Sequence, residues 1–303
     1  MRDAASQCAG LKRSKAVKMM LVIAGPLLLL EATTLAQTAR DRKVNQLTKE
    51  EKAAGWKLLF DGKSWTNWTL STIQKSSWWK IERGWIRSVP RGKSDEGRRL
   101  ATIESFRNFE LQFEWKIAKQ GNSGVKYRLQ GVWRFRPEDM ETGRTALLAP
   151  TLEALQAGTA LGFEYQLTDD ENAPDALDSP SRSSAALYRI AAPRKPHPVV
   201  AGTVHFTRIK ISGDRFEHWL DGERATEGDL SSDALRAVLE KNRAAGLRKF
   251  ETAKEEQQKY DGLLERVTAE ALLRLDVDES PIDFQHHRSA VWFRNIKIRR
   301  LEN

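Results

Sequence analysis

From Phe109 to Lys116 apolar and polar residues alternate without a slip. Phe109, Leu111, Phe113 and Trp115 fall on one side, and Glu110, Gln112, Glu114 and Lys116 on the other. A period of two is the pleat of a strand with one face in a core and one in water. A helix cannot satisfy it, because its faces recur every 3.6 residues. The same texture returns along the chain. Residues 56–60 form an apolar run closed by Asp61-Gly62, and residues 78–81 and 85–89 flank Glu82-Arg83-Gly84. Residues 206–211 and 215–220 flank Ser212-Gly213-Asp214, Asp221-Gly222 turns the chain again, and residues 291–298 make a last strand. Many short strands with turn residues between them predict an all-β sandwich or barrel.

Two stretches break this texture. Residues 137–160 read as an inserted loop with a short helix over 152–157. Residues 231–275 carry Leu235, Val238 and Leu239, then Leu263, Leu264 and Val267, at helical spacing. Their dense mixed charge predicts a solvated helical insertion, interrupted at Gly246 and Gly262 and available to a protein partner. Residues 37–54 are polar and read as a linker or short helix ahead of a domain spanning 55–303.

The N-terminus has the order of a secretory signal. Arg2, Lys12, Arg13, Lys15 and Lys18 precede an apolar run at residues 19–30, and Thr34-Leu35-Ala36 offers small residues at the −3 and −1 positions. Cleavage after Ala36 and export to periplasm or exterior are therefore expected, with an uncleaved anchor as the alternative. No later stretch is long and apolar enough to span a bilayer. The only cysteine, Cys8, lies in that leader, so the expected mature chain has neither disulfide nor thiol nucleophile. The formal net charge of +9 is spread along the chain, with no basic stripe interleaved with aromatics, which argues against nucleic acid as a partner.

There is no zinc signature, phosphate loop, nucleophile elbow or dinucleotide fingerprint, and none of His197, His205, His218, His286 and His287 makes a two-His helical ligand pair. Three constellations remain. In Gly162-Phe163-Glu164-Tyr165-Gln166-Leu167-Thr168-Asp169-Asp170, a strand would put Glu164, Gln166 and Thr168 on one face and leave Asp169 and Asp170 at its end. A carboxylate beside an amide suits a sugar site, one moving a proton and the other holding hydroxyls; a merely wetted face would look the same. In Asp283-Phe284-Gln285-His286-His287-Arg288, Gln285 and His287 would share a face, and histidine exchanges protons near neutral pH. Gly121-Asn122-Ser123-Gly124 reads as a tight turn leading to Lys126 and Arg128, which would point away from the core and could meet anionic or keto oxygens.

Several segments together resemble the 3-keto-disaccharide hydrolase family. They run from Gly55 to Trp68, through Asn108-Phe109-Glu110-Leu111, residues 121–128 and 164–170, Ala186-Leu187-Tyr188 and residues 217–222, to Val291-Trp292-Phe293-Arg294-Asn295-Ile296. The resemblance implies a two-sheet jelly-roll sandwich of the concanavalin A-like lectin/glucanase type with a charged helical insertion near the C-terminus. It implies cleavage of 3-keto disaccharides or glycosides by elimination at C1–C2 followed by hydration. A ketone at C3 acidifies the C2 hydrogen, so such an enzyme needs a base and a stabiliser for the enolate oxygen. It does not need the paired carboxylates of ordinary glycosidases. Within the matching motifs, Glu164, His287 and Asp169 are the expected catalytic residues. Gln166, Asn122, Lys126, Arg128, Asp170, Tyr188, Gln285 and Trp292 are the expected substrate contacts. His287 is the expected base, because its ordinary pKa of about 6.5 suits neutral pH, whereas Glu164 would need burial. Both are expected in one cleft on the concave sheet. No cofactor is certain; Glu164, Asp169, Asp170 and His287 could together ligate a divalent ion.

The sequence departs from the family's Gln-Asp-His-Gly, which becomes Gln285-His286-His287-Arg288, and from Gly-Glu-Trp-Asn, which becomes Gly202-Thr203-Val204-His205. Arg288 in a glycine's place predicts a reshaped loop. A non-catalytic carbohydrate-binding sandwich is the competing reading.

Overall fold

The computed structural model describes residues 44–69, 78–90 and 99–302, all within one unit, Lys43–Asn303. The leader expected over residues 1–36, with Cys8, lies outside the described residues. Among those described, no helix is long and apolar enough to cross a membrane.

Two antiparallel sheets face each other, as the alternation predicts. The larger contains β1 (Lys57–Leu58), β2 (Trp79–Glu82), β3 (Trp85–Ser88), β5 (Phe109–Ile117), β9 (His205–Ser212), β10 (Arg215–Leu220), β11 (Glu223–Asp229) and β13 (Val291–Arg300). Its order is β11-β10-β9-β5-β13-β3-β2, with β1 paired to β13. The smaller contains β4 (Leu100–Ala101), β6 (Asn122–Trp133), β7 (Leu147–Leu148), β8 (Thr159–Thr168) and β12 (Asp283–Phe284). Here β4, β12, β6 and β7 follow in order and β8 pairs with β6.

The inner faces meet in one apolar core. Phe109, Leu111, Phe113 and Trp115 of the larger sheet are buried with Val125, Tyr127, Phe163, Tyr165 and Leu167 of the smaller. Phe284 ties the layers together: its ring lies edge-on to Trp68, Phe113 and Phe293 at 5.3, 5.4 and 5.0 Å. Such edge-to-face pairs are each worth about 0.5–1.5 kcal/mol beyond the area they bury. A two-residue strand is thereby anchored firmly enough to hold its other residue, Asp283, in place on the opposite face.

Residues 44–54 of the segment expected as a linker or short helix hold a short helix that packs on the sandwich. Thr48 and Glu51 form a capping box on α1 (Lys49–Ala53), Glu51 pairs with Lys297, and the buried Asn45 donates to the Gly84 carbonyl at 2.8 Å. The region 137–160 holds α2 (Pro137–Thr142), β7 and α3 (Leu152–Ala157), the last where the sequence places a helix.

The helical insertion is a hairpin of α5 (Asp233–Thr252) and α6 (Glu256–Arg274), following α4 (Pro174–Asp178) in the chain. It is not a solvated excursion. Leu235, Leu239 and Leu272 join the main core, while Leu263, Val267 and Ala271 close over Trp133 and Leu161. These leucines, with Val267 and Ala271, are buried inside the molecule. Gly246 and Gly262 do not interrupt the helices either. A Cβ on Gly246 would lie 2.5 Å from the Arg266 nitrogen, and one on Gly262 2.5 Å from the Phe250 nitrogen. The glycines are what lets the two backbones approach this closely.

Candidate functional site

Three strands of the smaller sheet present a grid of polar side chains on the face turned away from the core. Asp283, Lys126 and Glu164 stand in register across β12, β6 and β8. The next row is Gln285, Gly124 and Gln166: Gly124 pairs with Gln166, and the Gln285 nitrogen donates to the Gly124 carbonyl at 2.8 Å. Asn122 opposite Thr168 forms the third. Members of a row sit about 4.8 Å apart from strand to strand and successive rows about 6.7 Å apart along the strands, so the face offers polar groups on the scale of a sugar ring. Ala154 and Leu155 of α3 pack with Ala160 at one end of it. Asp175 of α4 and Tyr188 stand at the other: the Asn122 amide reaches Asp175 at 3.4 Å, and the Tyr188 hydroxyl donates to Asp175 at 2.7 Å. The Tyr188 nitrogen also donates to the Glu164 carbonyl at 2.9 Å.

Glu164 is at the centre and 8% exposed. Its carboxylate leans over Gly124, where a Cβ would come within 2.2 Å of Oε1. Gly124 is therefore not a turn residue but a vacancy in the strand that the carboxylate fills. Burial pushes the Glu164 pKa above the usual 4.5; Lys126 pulls it down, and Asp283 and Asp175 push it up. Lys126 Nζ stands 3.6 Å from Glu164 Oε2, a Coulombic contact too long for a hydrogen bond. It donates to the Ala160 carbonyl at 3.1 Å.

Two buried acceptors on this face have no partner among the described residues: Gln166 Oε1, whose amide nitrogen donates to Asn122 at 3.1 Å, and Asp283 Oδ1, whose other oxygen takes Arg99 at 2.7 Å. A buried acceptor without a donor costs about 1–3 kcal/mol. Both belong to residues with no measurable exposure. Paired with hydroxyl donors of a ligand, they would recover that cost.

The grid thus gathers Glu164, Gln166, Asn122, Lys126, Tyr188 and Gln285 from the residues the sequence nominates. Four others stand elsewhere. Arg128 leaves the face because the β6–β8 register shifts between Tyr127 and Gly131 and Arg128 takes a φ of 48°. Its guanidinium is buried against the Gly213 carbonyl, Asp214 and Asp278. Asp169 is buried, accepting from the Gln120 nitrogen at 2.7 Å and from the Asn172 amide. Asp170 clamps the Ser184 and Val199 nitrogens at 2.8 and 2.9 Å. Both aspartates brace loops. Trp292 is on the other sheet, between Arg87 and Lys116 at 5.2 and 5.1 Å from its ring. The four residues proposed for a metal do not form a ligand set, and no three His, Cys, Asp or Glu side chains among the described residues could hold an ion.

His286 folds inward, bonding the Val89 carbonyl at 2.9 Å and lying edge-on to Trp78 and Trp79. His287 lies half-buried in the loop after β12, two residues beyond Gln285. Arg288 takes a φ of 50°. That is the left-handed region a glycine enters freely, and Arg288 carries a strain of about 1–2 kcal/mol there.

Asp283, Arg99, Asp175 and Gly124 were not nominated by sequence. Asp283 had a signal: it is two residues from Gln285, hence on the same strand face. Asp175 had none, since only the fold of the loop after β8 brings it to Tyr188.

A two-sheet sandwich of this arrangement is the concanavalin A-like fold of lectins and glucanases. Residues 55–299 match the family described as the 3-keto-alpha-glucoside-1,2-lyase-like domain, and the chain belongs to that family. It is 28% identical over 280 residues to the 3-keto-disaccharide hydrolase of Bacteroides thetaiotaomicron, covering 89% of this chain and 87% of that one. Among solved structures it is similar to a Parabacteroides distasonis protein provisionally assigned as a glycosyl hydrolase, with TM-score 0.57 and 24% identity over 86% of this chain and all of that one. A second Parabacteroides distasonis protein of the same provisional assignment gives TM-score 0.50 and 22% identity, covering 81% of this chain and 99% of that one. At these identities the two structures speak for the fold.

Proposed function

We propose that this protein is an exported hydrolase of 3-keto-glycosides, with the polar face around Glu164 as its active site. The family and the name of the Bacteroides relative support hydrolysis of a sugar substrate. The observation that carries the assignment to this face is Glu164 itself: a buried carboxylate of raised pKa, seated over Gly124 beside a lysine. A base is most effective when its pKa approaches the working pH. Burial moves Glu164 that way, so it replaces His287 as our candidate for the base. Glu164 takes the proton from C2, negative charge passes to the C3 oxygen, and the bond from C1 to the leaving oxygen breaks. Water then adds its hydroxyl to C1 and a proton returns to C2. Lys126 provides the positive charge beside the C3 oxygen, in a site dry enough for that charge to count. Gln166 Oε1 and Asp283 Oδ1 accept ring hydroxyls, with Asn122, Gln285 and Tyr188 at the margins. His287 protonates the departing oxygen.

The test is purified protein on a 3-keto-disaccharide and a 3-keto-aryl glucoside, with the unoxidised sugars as controls. Release is expected from the keto substrates alone, with deuterium entering C2 in heavy water. No release from either keto compound would overturn the reading. Export rests on the basic, apolar and small-residue order of residues 1–36; N-terminal sequencing of protein from the producing cell should start at Gln37.

A further inference from the structure

We propose that Lys126 is a covalent catalyst: its amine takes the C3 ketone as an imine, so that elimination runs through an enamine and not a free enolate. This rests on the ketone substrate proposed above. The other two carboxylates of the site are held by guanidiniums at bonding distance, Asp283 by Arg99 at 2.7 Å and Asp175 by Arg182 at 3.0 Å. Lys126 alone is an amine, and it stands off its carboxylate at 3.6 Å. One bond to the Ala160 carbonyl at 3.1 Å fixes the nitrogen in position, with the Glu164 carboxylate beside it to take its proton. An arginine would be the better clamp if charge alone were needed, because its fork binds two oxygens at once and never loses its proton. A buried lysine is the residue that forms Schiff bases with carbonyl substrates. The register of β6 and β8 sets Glu164 directly opposite, so the nucleophile and the proton acceptor are cross-strand neighbours.

The steps balance. Glu164 takes one proton from the Lys126 ammonium, and the free amine adds to C3. The carbinolamine hydroxyl leaves as water, using that proton, which gives the C3 iminium and restores the Glu164 carboxylate. Glu164 then removes the C2 proton to give the enamine; its electrons move to the C1–C2 bond and expel the oxygen at C1, which leaves with that proton, and a conjugated iminium remains. Water adds at C1, C2 regains its proton, and a second water hydrolyses the iminium to return ketone and amine. The net reaction is one glycosidic bond and one water consumed, as before. An iminium nitrogen is already positive, so the charge that an enolate would place on oxygen is neutralised within the covalent intermediate.

The experiment is reductive trapping. Full-length protein is incubated with a 3-keto-glycoside and cyanoborohydride, digested, and analysed by mass spectrometry; turnover is measured separately without reductant. The expected result is a reduced sugar adduct on the peptide carrying Lys126. Lys126→Arg and Lys126→Met should both lose the adduct and fall in kcat by about 10²-fold or more, alike because neither can form an imine. Turnover by the wild type without an adduct, or Lys126→Arg within tenfold of wild type, would overturn the covalent role and leave the elimination intact. The wild-type trapping needs no variant, so misfolding of a mutant cannot decide it. No turnover of any keto substrate would overturn the proposed reaction itself, and the Lys126 role with it.

Discussion

The two sheets turn two polar faces outward, and they are polar in opposite ways. On the larger sheet, Glu110 meets both Arg208 and Arg299, and Glu114 meets Arg294 at 2.7 Å. Its indoles are covered by cations: Arg294 and Lys116 lie 4.2 and 5.1 Å from the Trp85 ring, and Arg208 lies 4.8 Å from that of Trp219. On the smaller sheet, Glu164 has no hydrogen bond from Lys126, and Gln166 and Asp283 each bury an acceptor without a partner. What separates the two faces is the state of their acceptors: the first has spent its carboxylates on its own cations, its unpartnered buried atoms among the described residues being the Arg87 and Arg208 Nε donors, and the second holds acceptors in reserve. A fold tolerates unspent buried polarity where a ligand supplies the missing half.

The largest effect should come from breaking that reserve. Glu164→Gln keeps shape and burial but removes the base, so kcat on a 3-keto-glycoside should fall by about 10²-fold or more. Glu114→Gln, the matched change on the larger sheet, should stay within about twofold, the insensitivity expected of a residue that never meets substrate. Equal losses in both variants would erase the distinction between the faces.

Gly124→Ala tests position without touching any charge. The new methyl would meet the Glu164 carboxylate at 2.2 Å and must displace it. A misplacement on the order of 1 Å can cost about 10²-fold in rate. We expect a loss of about ten- to a hundredfold in kcat with little change in the thermal midpoint. A variant of wild-type rate would mean that the carboxylate need not lie over Gly124.

Acid separates a poised group from a satisfied one. Burial raises the Glu164 pKa above 4.5, so the acid limb of kcat/KM should lie above pH 4.5 and vanish from the residual activity of Glu164→Gln. His218 is the contrast. It is buried between the Tyr127 hydroxyl at 2.8 Å and the Ala185 carbonyl at 3.1 Å, and burial lowers its pKa from 6.5 to about 3. The unfolded chain therefore binds a proton below pH 6.5 that the folded chain refuses until about pH 3. Stability from this residue is full above 6.5 and falls by about 1.4 kcal/mol per pH unit on the way down. In urea titrations, His218→Asn should flatten that slope between pH 6 and about 4; an unchanged slope would place the acid sensitivity elsewhere.

Strand alternation made most of the sandwich legible, because a period of two has one structural meaning wherever one face is buried. It also placed Glu164 with Gln166 and carried over to Lys126. It failed at Arg128, where an irregularity in register reverses the face, and no residue type announces such an irregularity. The helical reading failed at Gly246 and Gly262, where glycine could mean a break or a close approach and only the facing helix decides. Mixed charge concealed the core role of α5 and α6, since buried leucines occupy few of their positions. Asp175 could not be read at all: its place depends on a loop whose path is set by the Asp169 and Asp170 clamps.

The smallest expected effect concerns Trp292, which lies within a family motif and has the chemistry of a sugar platform. Its register settles where it stands: Trp292 pairs with Lys116 on one side and Arg87 on the other, so it belongs to the outer face of the larger sheet. The cations beside it already occupy the positions a sugar would need for stacking. Trp292→Ala should therefore lose two cation–π contacts of about 0.5–1 kcal/mol each. For a domain of this size that lowers the thermal midpoint by about 2–4 °C per kcal/mol. Neither kcat nor KM should move by more than about twofold, as for a residue that removes neither ground-state nor transition-state binding. A tenfold rise in KM at unchanged kcat would put substrate on the larger sheet after all. It would also show that cation-covered indoles can be uncovered by a ligand.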